Sequence, residues 1–169
     1  MPKGLKSTSS IIQISGEITE SGANTYTSEK VDLQLNPLDN EVFVVLAVNL
    51  DVGAPDNRTD SITTTNFSLS STERDTVGSL ANSNVMAHKR VQIQNVGDTC
   101  AVLDEHIAGE TPSALLDYVF ILATNDFYAN ITGTSNAQAK SGIFRVYGYR
   151  AKADAATYAP LVQSEVLSS

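Results

Sequence analysis

From Ile12 to Lys152 apolar and polar residues alternate with a period of two, broken by short turn signals, and a helical period takes over only at Asp154. Such alternation places successive side chains on opposite faces of an extended backbone, so each segment must lay one face on a core. Ile12, Ile14, Gly16 and Ile18 alternate with Gln13, Ser15, Glu17 and Thr19, which predicts a strand with one wet face. After the turn Ser21-Gly22-Ala23-Asn24, a second strand carries Val31, Leu33 and Leu35, and Asn36-Pro37 ends it because proline cannot donate to a ladder.

Residues 41–51 (EVFVVLAVNLD) are apolar on both faces and rich in β-branched side chains, the pattern of a central strand covered on both sides. Residues 62–70 form a Thr-rich strand with Phe67 and Leu69 facing inward. Residues 71–87 are the least regular, and within them 73–80 read as a short helix weakened by Gly78. Further strands are expected over 89–95, 100–106, 117–124, 127–132 and 142–152, with a tight turn over 95–98 containing Gly97. The stretch 154–167 carries Ala155, Ala156, Tyr158, Leu161, Val162 and Val166 at helical spacing. Pro160 belongs in a first helical turn, which puts the helix start near Thr157.

These segments define an all-β, antiparallel jelly-roll or β-sandwich fold of about eight strands, with a short C-terminal helix and a flexible N-terminal arm. The expected organisation is an arm over 1–10, the sandwich over 11–153 and the helix or arm over 154–169. A chain of 169 residues with 41% hydrophobic content is large enough for one well-buried core. The longest apolar run, 42–48, is too short to span a bilayer, and residues 1–12 contain no apolar stretch of signal-peptide length, so a soluble chain is expected.

The chemistry of the chain is sparse. Its net charge of −8 opposes nucleic-acid phosphates, so direct nucleic-acid binding is not expected. The single cysteine, Cys100, rules out an intramolecular disulfide, and its apolar neighbours Ala101 and Val102 predict a buried, inert thiol. Only His88 and His106 could act as bases, and neither lies in a nucleophile motif, so no enzyme activity is expected. Cys100, Asp104, Glu105, His106 and Glu110 lack the spacing of a zinc site and read as a solvated acidic turn. The loop 51–60 offers Asp51, Asp56, Asn57 and Asp60 as oxygen ligands for calcium. It misses the EF-hand spacing, and the ordinary reading is a polar loop; no cofactor is expected. Sequons occur at Asn57, Asn66 and Asn130 and carry no weight without a secretion signal. Lys140, Arg145, Arg150 and Lys152 interleave with Phe144, Tyr147 and Tyr149. On one strand Arg145, Tyr147 and Tyr149 share a face, read as a sheet edge or interface with the arginines pairing to neighbouring acids.

The last third, GIFRVYGYRAKADAATYAPLVQSEVLSS, together with the order of short strands before it, resembles the small single jelly-roll coat proteins of tailless icosahedral viruses of bacteria or archaea. The resemblance spans about residues 11–167 and rests on pattern, without a diagnostic motif. It implies two four-stranded sheets, contacts made by loops and termini, and contact arms at 1–10 and 154–169. The interface residues expected on this basis are Tyr147, Tyr149, Tyr158, Leu161 and Val162. It further implies a virion protein, assembled in the host cytoplasm from copies of itself, with a second coat protein as a further partner. The N-terminal arm has only Lys3 and Lys6 as basic residues, which speaks against direct genome packaging, and the acidic balance fits a shell lying over an internal membrane or inner protein layer. Two alternatives share the fold class: a tail-tube or pilus-type subunit that assembles helically, and a receptor- or glycan-binding module.

Overall fold

The computed structural model describes residues 4–97, 99–106 and 116–167, the backbone alone for 104–106. Ten strands and one α-helix build it: β1 (Leu5–Ser7), β2 (Ile12–Thr19), β3 (Thr27–Asp32), β4 (Glu41–Val52), β5 (Ser61–Ser70), β6 (Val85–Val96), β7 (Thr99–His106), β8 (Phe120–Leu122), β9 (Asp126–Thr134), β10 (Ser141–Ala153) and α1 (Ala155–Leu167). In one antiparallel sheet β10 pairs with β4 on one side and with β1 and β2 in succession on the other, and β8 flanks β4. The second sheet runs β3–β9–β5–β6–β7. Setting aside β1 and β7, the chain crosses between sheets at every connection except the β5–β6 hairpin. Four strands thus face four in the two-Greek-key order of a jelly roll.

The core lies between the sheets. Phe43, Val45, Val48, Phe144 and Val146 from one sheet meet Phe67, Leu69, Phe127, Ala129 and Ile131 from the other. Phe127 and Phe144 touch edge to face with centroids 5.7 Å apart, the arrangement the ring quadrupoles favour. Phe144 pairs in register with Gly16, and its ring lies where any β-carbon at Gly16 would stand, 2.6 Å from ring carbon Cζ. Glycine there lets the large ring fold over the neighbouring strand. β4 is buried on both faces, as its sequence predicts: Phe43 and Val45 enter this core, while Val42 and Val44 join a second cluster with Leu5, Ala123, Ala151 and Ala153 beneath α1. Register slips between Tyr147 and Gly148, where β4 carries an extra residue opposite β10.

Four expectations are revised. Residues 5–9, read as arm, are paired along β10. β1 makes ladder contacts, the Thr8 N–H donates to the Arg150 carbonyl at 2.9 Å, and the Arg150 N–H donates to Ser9 Oγ at 2.9 Å. Residues 73–80 form no helix. Side chains take the backbone groups instead: the Gly78 N–H donates to Ser68 Oγ at 3.2 Å and the Ser79 N–H to Asn82 Oδ1 at 3.0 Å. The apolar run 117–124 shrinks to the three-residue β8, because beyond Leu122 the amides of Ala123 and Thr124 turn to the carboxylate of Glu165. Finally, α1 begins at Ala155, with Pro160 in its interior. Asp154 starts it: Asp154 Oδ1 accepts from the Thr157 N–H at 2.8 Å, a capping bond strong enough to set the start ahead of the position proline would choose. The Thr157 side-chain hydroxyl, then that amide, hold the Asp154 carboxyl below its ordinary range.

Candidate functional site

At one end of the sandwich three loops are tied together. Asn136, in the β9–β10 loop, is buried; its N–H donates to Asn24 Oδ1 at 2.7 Å and its carbonyl accepts from Asn24 Nδ2 at 2.8 Å, which joins it to the β2–β3 loop. Its own amide accepts from the Asp56 N–H at 2.9 Å and donates to the Thr64 carbonyl at 2.8 Å, which joins the β4–β5 loop. Beneath this, the buried Glu20 accepts from the Gly133 N–H at 2.6 Å and the Lys140 N–H at 2.8 Å. Glu20 continues the inward phase of Ile14, Gly16 and Ile18, so its burial was legible in the alternation even though a carboxylate is an unexpected occupant.

The four oxygen-bearing residues of the 51–60 loop are drawn apart. Asp51 is exposed on the outer face of β4, opposite Ile143. Asp56 pairs with Lys140 Nζ at 2.5 Å and accepts from the Ala137 N–H at 2.7 Å; the lysine bond, then the amide, hold its carboxyl below the ordinary range. Asn57 Oδ1 accepts from Asn95 Nδ2 at 2.7 Å, and Asp60 Oδ1 from the Gly97 N–H at 3.1 Å. The donors to Asp56 lie in the β9–β10 loop and those to Asn57 and Asp60 at the end of β6, and among the described residues no group of three or more His, Cys, Asp or Glu side chains is arranged to hold a metal ion. The loop oxygens hold the loop.

Of the residues expected at an interface, Tyr149, Tyr158, Leu161 and Val162 come together within the chain, half-buried over Val42, Val44, Ala151 and Ala153. Tyr147 lies farther along the same face of β10, half-buried, within 3.4 Å of Arg145 Nη1. The helix is secured by a residue the sequence reading passed over. Glu165 is buried: Oε2 accepts from the N–H groups of Ala123 at 2.9 Å and Thr124 at 3.0 Å, and Oε1 accepts from the Thr124 hydroxyl at 3.0 Å. Burial pushes its carboxyl above the ordinary range, against the pull of those three bonds. Its place on the stripe of Tyr158, Leu161 and Val162 was the available signal, a carboxylate at the apolar spacing. The cleft between α1 and β8 beside it, about 240 Å³ and lined by Tyr118, Ile121, Leu161 and Glu165 among others, falls below the volume usual for small-molecule sites.

The basic residues of β10 are largely engaged. Arg150 donates to the Leu33 carbonyl at 2.8 Å and the Gln34 carbonyl at 3.1 Å and lies 3.4 Å from Glu41; Lys152 pairs with Asp39 at 2.9 Å. Arg145 is exposed on a face it shares with Asp51 and Glu17. His88 lies mid-strand on β6, and His106 ends β7 with its side chain outside the described residues, as is Glu110. Cys100 is exposed, not buried. Its apolar neighbours lie on β7, which extends the second sheet past the jelly-roll set, and Thr99 to Leu103 are all solvent-facing. Of the sequons, Asn130 is buried and fully occupied: its Oδ1 accepts from the hydroxyls of Tyr26 at 2.8 Å and Ser28 at 2.9 Å, and its Nδ2 donates to Ser70 Oγ at 2.8 Å.

The class these observations define is an antiparallel β-sandwich of jelly-roll order with a helix packed on one outer face. No protein-family model and no curated protein matches the chain.

Proposed function

We propose that this protein is a structural subunit, a coat protein that packs against copies of itself to form a virion shell. The observation that carries the reading is the strand order, four against four, in a chain whose polar groups are spent on holding its own loops. Jelly rolls also serve as lectin and cupin scaffolds, so the fold alone is an analogy. What favours packing over chemistry is that Asp56, Asn57 and Asp60, the tyrosine–helix cluster and most of the basic stripe have structural partners inside the chain. With a net charge of −8 and Arg145 set among acids, its partners are protein surfaces, a second coat protein among them, and a shell over an internal membrane suits it better than contact with a genome.

Light scattering with negative-stain microscopy on the purified chain, across salt concentration and with calcium added, tests the reading. Closed shells or capsomer-like rings are expected. Open tubes would transfer the subunit to a helical assembly, and a monomer under every condition would remove the self-assembling coat reading.

A further inference from the structure

β7 is the strand that the jelly roll does not need. One edge of it is taken by β6 in unbroken register from Val96↔Thr99 to Lys89↔His106; the other edge has no strand partner among the described residues. Residues 99–103 are exposed on both faces, with Val102 at 65% and Leu103 at 49% exposure. Free edges are templates for another strand, and proteins normally blunt them with charge, proline or a bulge. The opposite edge of this sheet follows that rule: β3 carries Glu29, Lys30 and Asp32. The first five residues of β7 do not: Thr99-Cys100-Ala101-Val102-Leu103 has no charge, no proline and no bulge against β6, and the charged residues Asp104 and Glu105 come only toward the strand's end.

The occupant that suits this edge is the same strand of a second copy. Two chains of net charge −8 repel, and an uncharged strip is where they can approach at least Coulomb cost. Identical strands pair antiparallel about a twofold axis with no second sequence required. One register uses the whole strand: Val102 opposite Leu103 of the second copy places Ala101 opposite Asp104, Cys100 opposite Glu105 and Thr99 opposite His106. All of β7 is then paired and no two carboxylates stand directly opposed, which would be unfavourable. We propose that β7 pairs antiparallel with β7 of a second copy in this register, fusing two five-stranded sheets into one.

The contact extends the assembly reading by naming one interface, and the two are tested apart. Sedimentation of the full chain should show a dimer, or larger species built on it. Val102→Glu, which adds a further negative charge to each copy at a side chain that already faces solvent, should weaken association about a hundredfold with an unchanged far-UV spectrum and melting curve. The register is checked by Glu105→Cys, which should give a disulfide-linked dimer with Cys100 on oxidation, whereas the unaltered chain should not. Hydrogen exchange on the unaltered chain should show β7 amides gaining protection on concentration. A chain that stays monomeric, a Val102→Glu variant that associates as tightly, or β7 exchange independent of concentration would overturn the pairing. Dimers that never form shells would keep it and remove the coat reading; shells that form with β7 exchange unchanged would do the reverse.

Discussion

Glu165 is the side chain through which α1 is held to the sandwich, and its replacement has a calculable effect. In Glu165→Ala the buried Ala123 amide loses its acceptor, while the half-buried Thr124 groups can return to water. An orphaned buried donor costs about 1–3 kcal/mol, and bonds to a charged acceptor contribute about 1.5–3 kcal/mol, set against relief from burying the carboxylate. The net loss is about 2–3 kcal/mol, or a fall in Tm of about 4–12 °C for a domain of this length. Glu165→Gln keeps an oxygen for the two amides and removes the charge. Because burial raises the folded carboxyl above its unfolded value of 4.5, the proton is bound more tightly in the folded state. The proton-linked part of the stability that Glu165 contributes is therefore fully present below pH 4.5 and is lost as pH rises through the raised folded value. Gln should match Glu in acid and overtake it as pH climbs toward neutrality. Urea unfolding of the three proteins across that range is the assay. An Ala variant within about 0.5 kcal/mol of the parent, or a Gln–Glu difference flat with pH, would refute the latch.

Three other perturbations address the core, the register and the loops. Phe127→Ala removes a fully buried ring and its edge contact with Phe144, and should cost about 3–5 kcal/mol in chemical denaturation. Asn130→Leu takes the acceptor from the Ser28 hydroxyl and one bond each from Tyr26 and Ser70, which keep the Arg74 and Thr72 carbonyls, and should cost about 1–3 kcal/mol, read by the same method, where an Asn130→Ala change that proves neutral would deny the residue its role between β3, β9 and β5. Asp56, held below its unfolded value of 3.8, contributes loop stability that is present above that pH and lost as pH falls through the lower folded value. Faster exchange of the Ala137 amide in Lys140→Met, and in the parent below pH 3.8, is the expected sign.

Alternation is a local property, so the strands over 12–19, 41–52 and 141–153 could be read directly, and with them the inward faces of Ile18, Phe67 and Leu69. The same rule places Glu20 inward, and helical spacing places Glu165 on the docking stripe, yet neither reveals what would receive a buried carboxylate. For Glu20 the receivers are amides of Gly133 and Lys140, more than a hundred positions away along the chain. Composition misled for Cys100, because apolar neighbours signal burial only if an opposing sheet arrives to cover them, and among the described residues none covers Thr99 to Leu103. Likewise Asp51, Asp56, Asn57 and Asp60 are close in sequence, but Asp51 faces solvent and the other three answer to separate donors in space.

The sequence by itself determined that the chain is a β-sandwich with one terminal helix, since periodicity and turn residues act over a few neighbours and need no distant partner. Only the tertiary structure decided which edges pair, which charges are buried and where α1 lies. Those outcomes depend on ladders and hydrogen bonds between residues far apart in the chain, and a buried polar group is tolerated only where such a distant partner meets it.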